Sequence, residues 1–164
     1  MTTPIEVIRD ALRKEAEKHV QKVVALLTYV GEEVVNQIRN GDISSWIDRT
    51  GNLRSSIGYI ITIDGETIKS SNFATVKGPD APQHIEGEKT DSSALNGSAE
   101  GRIYANRLAS LYDKGIALIV VAGMEYASYV EKLENKVVLA QGEIEARKLV
   151  TKMVEQLKNA GQAK

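Results

Sequence analysis

Apolar or small side chains recur along the N-terminal stretch at Ile5, Ile8, Leu12, Ala16, Val20, Val23, Leu27, Val30, Val34 and Ile38. Their average spacing is close to the helical repeat of about 3.6 residues, which predicts one long amphipathic helix. Thr3, Pro4 and Glu6 mark its start: a capping hydroxyl, a proline at the first helical position and a carboxylate three residues after the cap. Asn40-Gly41 supplies a left-handed stop. Gly31 lies inside the run, where glycine is weaker than alanine by up to about 1 kcal/mol, and marks a place for a bend or break.

The pattern then changes period. Asp64-Gly65 is a two-residue hairpin signal, because both central positions of a type I′ turn need positive φ. That turn pairs Ile63 with Glu66, Thr62 with Thr67, Ile61 with Ile68 and Tyr59 with Ser70, and places Ile57, Tyr59, Ile61, Ile63 and Ile68 on one core-facing side. Tyr104, Leu108, Leu111 and Tyr112 share one helical face, and Lys114-Gly115 closes that short helix. The run from Ile116 to Ala122 is apolar throughout, which predicts a strand covered on both faces in the middle of a sheet. Leu139, Ala146, Val150, Met153 and Leu157 line one face of a closing helix. A flexible polar tail over 160–164 follows. The sum is an α+β fold in a single domain, 1–164, with a long N-terminal helix, a small antiparallel sheet and a C-terminal helix packed on the sheet.

Between these elements, residues 77–101 turn to Gly, Pro, Ser, Thr, Asn and charge, with Lys77 and Lys89 against Asp80, Glu86, Glu88, Asp91 and Glu100. A long acidic loop of this kind is usually functional, and it reads as a contact arm. The Gly97 and Gly101 spacing inside it is read as flexibility. Trp46 follows the helix stop and reads as a core plug or an interface anchor.

Composition narrows the chemistry. The 164 residues include 21 basic and 22 acidic side chains, for a net charge of -1, so no global field draws the chain to nucleic acid or anionic lipid. With no cysteine, disulfides, thiolate metal sites and cysteine nucleophiles are excluded, which fits a chain made in a reducing cytoplasm. No apolar stretch approaches the roughly 18 residues of a membrane span, and the N-terminus lacks an export signal. His19 and His84 stand apart from each other, without a carboxylate at metal-ligand spacing. The carboxylate pairs Glu32-Glu33, Glu86 with Glu88 and Glu143 with Glu145 lie in charged stretches that read as solvated. Phosphate loops, nucleophile elbows and zinc-protease helices have no counterpart in this sequence. The residues thus predict neither catalytic, cofactor-binding nor metal-binding groups.

Two blocks carry a resemblance. The segment from Asp48 to Ile57, with Thr50, Gly51, Leu53 and Arg54, closely resembles the "threonine-glycine-x-leucine-arginine-x-serine" signature of a phage tail-component family, the gene-product-ten-like proteins of HK-type lambdoid phages and their prophage relatives. A later block of that family follows an apolar strand; here it reads Gly123 to Glu131, with Tyr126, Tyr129 and Glu131. Long helix, signature, strand, apolar strand, second block and last helix come in the family's order and cover nearly the whole chain. Two departures stand out. Lys132 to Val138 replaces the glycine and proline common before the last helix, and the 77–101 stretch is longer. On its residues alone, the first block reads as a stiff helix-to-strand connector: Thr50 caps a short helix over Asn52 to Ser56, Gly51 lets the chain turn, Leu53 enters the core and Arg54 points out.

The resemblance implies a non-enzymatic structural subunit of a tailed phage or prophage, made in the bacterial host cytoplasm and placed in the virion at the neck or tail-completion position. Its partners would be copies of itself in a ring and the portal-side connector and tail-tube proteins, with no cofactor, specific nucleic acid, membrane or small molecule. The acidic stretch would reach a neighbour or face the lumen, where negative charge lets DNA slide. The alternative from another class is a small cytoplasmic dimeric binding or regulatory module using the long helix for dimerisation.

Overall fold

The computed structural model describes residues 3–40, 51–75, 96–124, 127 and 138–162. Its element order is α1 (Pro4–Asn40), α2 (Asn52–Ser56), β1 (Ile57–Ile63), β2 (Glu66–Ser70), α3 (Gly97–Ala109), β3 (Ile116–Ala122) and α4 (Ala140–Gln162). The fold is α+β, with the long helix, a small antiparallel sheet and a C-terminal helix as expected.

Helix α1 starts as its sequence dictates. The Thr3 amide donates to Glu6 Oε2 at 2.7 Å, and the Glu6 amide donates to Thr3 Oγ1 at 3.4 Å, a reciprocal capping box that satisfies two orphan donors. The helix runs through Gly31 without a break. A Cβ at Gly31 would lie 2.7 Å from Tyr59 Cγ. The glycine seats an aromatic ring against the helix backbone.

Asp64 and Gly65 both have positive φ, 49° and 83°, which is the hairpin turn predicted. Beyond Thr62 paired with Thr67 the register departs from the expected one: Ile61 faces Lys69 and Ile60 faces Ser70, with a bulge between Ile61 and Thr62. The extra residue on β2 is Ile68, which is 43% exposed and belongs to no core face. A bulge inserts one residue and flips the side chains beyond it, which no turn motif announces.

The strand order is β2-β1-β3. The strand expected at the centre, β3, therefore lies at an edge of the described sheet, and β1 takes the centre. The sequence reading failed because a continuous apolar run reports cover on both faces and says nothing about cover at the edges. Both faces are indeed covered. On one side Ile57, Tyr59 and Ile61 pack with Val30, Val34, Val35 and Ile38 of α1, joined by Leu139, Ala146, Leu149, Val150 and Met153. On the other, Ile60, Ile119 and Val121 pack with Phe73, Ala105 and Ala109.

Helix α3 corrects three expectations. It begins at Gly97, where Asn96 Oδ1 accepts the Ala99 amide at 3.3 Å, so 97–101 is helix and the 77–101 stretch was read as loop too far. It ends at Ala109, before Lys114-Gly115. It also buries Gly97, Gly101, Ala105 and Ala109, while Tyr104 is 40% exposed and Leu111 and Tyr112, beyond the helix end, are 71% and 49% exposed. A row of small residues every fourth position lets two backbones approach, and that contact outweighs burial of the larger side chains here. At the C-terminus α4 continues to Gln162, so 160–162, expected in the polar tail, are helical. Trp46, His84, most of the acidic stretch and the side chain of Leu157 lie outside the described residues.

Candidate functional site

The described residues of the first resemblance block, Gly51 to Ile57, build α2 and the start of β1, and α2 packs chiefly on α3 and on the sheet. Gly51 has φ 78° and occupies the N-cap position of α2, with no side-chain cap; Thr50, expected to supply that cap, lies outside the described residues. The positive φ explains the glycine, since a β-carbon is disfavoured there. Ser55 Oγ donates to Gly51 O at 2.6 Å and Ser56 Oγ to Leu53 O at 2.8 Å, so both buried hydroxyls are spent inside the turn. Leu53 is buried as expected, 2% exposed. Arg54, expected to point out, is half-buried.

The close packing of α3 on α2 was missed in the sequence. A Cβ at Gly97 would collide with Asn52 O, one at Gly101 with Ser56 O, and one at Gly123 with the Gly101 backbone. The glycines read as flexible are thus the opposite: they let α3 lie backbone to backbone on α2 and on the end of β3. The Gly123 amide donates to Ser56 O at 3.2 Å, and Ser98 Oγ donates to Phe73 O. Gly123 opens the second resemblance block and Ser56 lies near the end of the first, so the structure brings the end of one block against the start of the other. Tyr126, Tyr129 and Glu131 lie outside the described residues. The signal available beforehand was the four-residue spacing of Gly97, Gly101, Ala105 and Ala109, a small-residue helix face.

A second polar centre joins α1 to the sheet. Tyr59, fully buried, donates its hydroxyl to Glu32 Oε1 at 2.7 Å. Burial, then the hydrogen bond to Glu32 and the charge of that carboxylate, push the phenol pKa well above its ordinary value. Arg39 Nη2 donates to Ile57 O, and burial lowers its pKa against the attraction of Glu32. Glu32 is therefore a structural acceptor and not only a solvated carboxylate. Of the other carboxylates in the pairs singled out from the sequence, Glu33 is engaged with Gln37, Glu143 with Arg147 and Glu145 with Lys148. His19 is exposed, 3.6 Å from Glu15. Among the described residues no group of three His, Cys, Asp or Glu could hold a metal ion, and no helix is long and apolar enough to cross a membrane.

Two surfaces remain. One is the N-terminal half of α1, where every described residue from Thr3 to Val23 is exposed, Ile5, Ile8 and Leu12 at 68%, 60% and 67%. The other is a trough along the outer edge of β3, between α3 and α4. It consists of two clefts of about 510 and 620 Å³ that share Leu139.

No family model, curated protein or solved structure matches this chain.

Proposed function

We propose that the chain is a structural subunit of a tailed phage or prophage, a neck or tail-completion protein that works by assembling into a ring at the head–tail joint. The observation that carries the assembly part is the bare apolar stripe on α1: three large aliphatic side chains, each at least 60% exposed, in one row. A stripe of that kind marks a surface completed by a partner. The phage part is supported by the resemblance of the Thr50-Gly51-x-Leu53-Arg54 and Tyr126-x-x-Tyr129-Val130-Glu131 blocks. The described residues of the first block form a rigid joint, fitting a subunit whose work is shape.

The test is the mass of the purified chain over a wide concentration range, with electron microscopy of any large species and pull-down against portal-side and tail-tube components of a tailed phage. Rings, or binding to such components, support the reading. A compact dimer indifferent to virion proteins favours the dimeric module, and a strict monomer that binds no virion component overturns both.

A further inference from the structure

We propose that the exposed half of α1 docks in the trough between α3 and α4 of a second copy, joining copies arm to trough. The inference rests on the assembly reading above and names the two surfaces that would meet.

The surfaces are opposite in shape. The arm is convex, and Ile5, Ile8 and Leu12 stand at i, i+3 and i+7, the spacing by which an amphipathic helix anchors in a groove. The trough is concave. Its floor is the β3 side from Leu118 to Met124; its walls carry Ile103 and Tyr104 from α3 and Leu139 and Ala146 from the α4 side. Glu100 and Arg107 stand on one rim, Glu143 and Arg147 on the other. The two sheet edges are treated differently. Strand β2 carries Lys69 and a bulge, devices that blunt an edge, whereas β3 reads Ile-Ala-Leu-Ile-Val-Val-Ala with neither charge nor proline. Native proteins cover such an edge with a helix or loop.

The arm cannot fill the trough of its own chain. Helices α1 and α4 pack antiparallel: a Cβ on Gly142, a trough residue, would touch Ile38 and Val34, while Val23 and Leu27 meet Val150, Met153 and Val154. The trough thus lies beside the C-terminal end of α1. Leu12 is about 39 Å of unbroken helix from Ile38, and α1 has no hinge to fold back on. A second copy has no such constraint. From Ile5 to Val20 the arm spans about 22 Å, and β3 spans about 20 Å. Arg9 and Arg13 flank the stripe, where they can reach the rim carboxylate Glu100, while Glu143 is already held by Arg147. Pairing arm with arm would leave every trough uncovered; arm to trough covers both surfaces. A contact of this length buries on the order of 1,200 Å² in total, the lower end for a specific interface. Because the two surfaces differ, the contact is heterologous and repeats into a ring where the rotation closes and into a filament where it does not.

The chain has no cysteine, so engineered thiols report cleanly. Leu12→Cys and Tyr104→Cys are made separately in the full chain, mixed and oxidised, and the mass of the unmodified protein is followed with concentration beside that of an I8E/L12E variant. Docking predicts a disulfide in the mixture and none in Leu12→Cys alone. It also predicts association weakened on the order of 100-fold in I8E/L12E, with unchanged melting of the monomer because both side chains are exposed. Leu12→Cys that links only to itself overturns the docking, as does a wild-type chain that stays monomeric and yields no cross-link. If rings form equally well in I8E/L12E without the mixed disulfide, the docking falls and the ring reading stands. Mixed cross-links within chains that grow without closing keep the docking and remove the ring.

Discussion

Helix α1 carries one apolar stripe through two environments. From Val30 to Ile38 the stripe is sealed, with Val30, Val34 and Ile38 at 0% exposure against β1 and α4; from Ile5 to Leu12 the same residue types at the same spacing stand in solvent. Nothing in residue type or period separates the halves. The difference is what lies opposite: Tyr59, Ile61 and α4 for one, no described residue of this chain for the other. A periodic stripe is therefore a request for cover. Where cover is internal the stripe becomes core, and where it is missing the stripe becomes a candidate interface.

The comparison is tested most strongly at its buried end. Ile38→Ala is expected to lower the unfolding free energy by about 2–5 kcal/mol, through lost transfer energy and a residual cavity, measured by urea denaturation; a loss below about 1 kcal/mol would mean that the buried half is not sealed. Next is Gly31→Ala. Alanine gains about 1 kcal/mol of helix propensity over glycine, but its Cβ would meet three ring carbons of Tyr59 at 2.7–2.9 Å. Overpacking of this kind destabilises by about 1–3 kcal/mol, so the melting temperature should fall. A rise would show that the ring does not sit on the helix.

Tyr59→Phe removes the hydrogen bond to Glu32 and should cost about 1 kcal/mol. It also changes the alkaline limb of stability. The buried phenol titrates above its ordinary value of 10.0, so the unfolded chain ionises first; this contribution is complete below pH 10 and declines as pH rises past it. Thermal melts from pH 8 to 11 should show a shallower decline in Tyr59→Phe than in the wild type. The smallest effect belongs to the exposed half: Leu12→Ala should change monomer stability by less than about 0.5 kcal/mol while weakening any concentration-dependent association. Equal monomer losses at Leu12 and Ile38 would erase the contrast.

Much of the fold was legible because the signals were local. The capping box at Thr3 and Glu6, the positive-φ pair Asp64-Gly65 and the uninterrupted apolar run of β3 each act within a few residues, and each produced its element. The candidate site was less legible. Gly97 and Gly101 looked like loop glycines because their purpose, backbone contact with Asn52 and Ser56, involves residues far away in sequence. Ile68 was misplaced for a similar reason, since the bulge that turns it outward is a property of two strands. The trough had no local signal: its walls come from α3, β3 and α4, separated in the chain and meeting only in space.

The sequence by itself determined where helices and strands form, which residues of the first resemblance block build a short helix leading into β1, and that α1 bears one continuous stripe. Those follow from backbone sterics, hydrogen bonding and side-chain period, which act over a turn or a hairpin. Only the tertiary structure decided that β1 and not β3 takes the centre, that α3 turns its small residues inward, and that half of the α1 stripe finds no partner in its own chain. Those outcomes depend on which surfaces lie opposite one another, and period and residue type do not encode that.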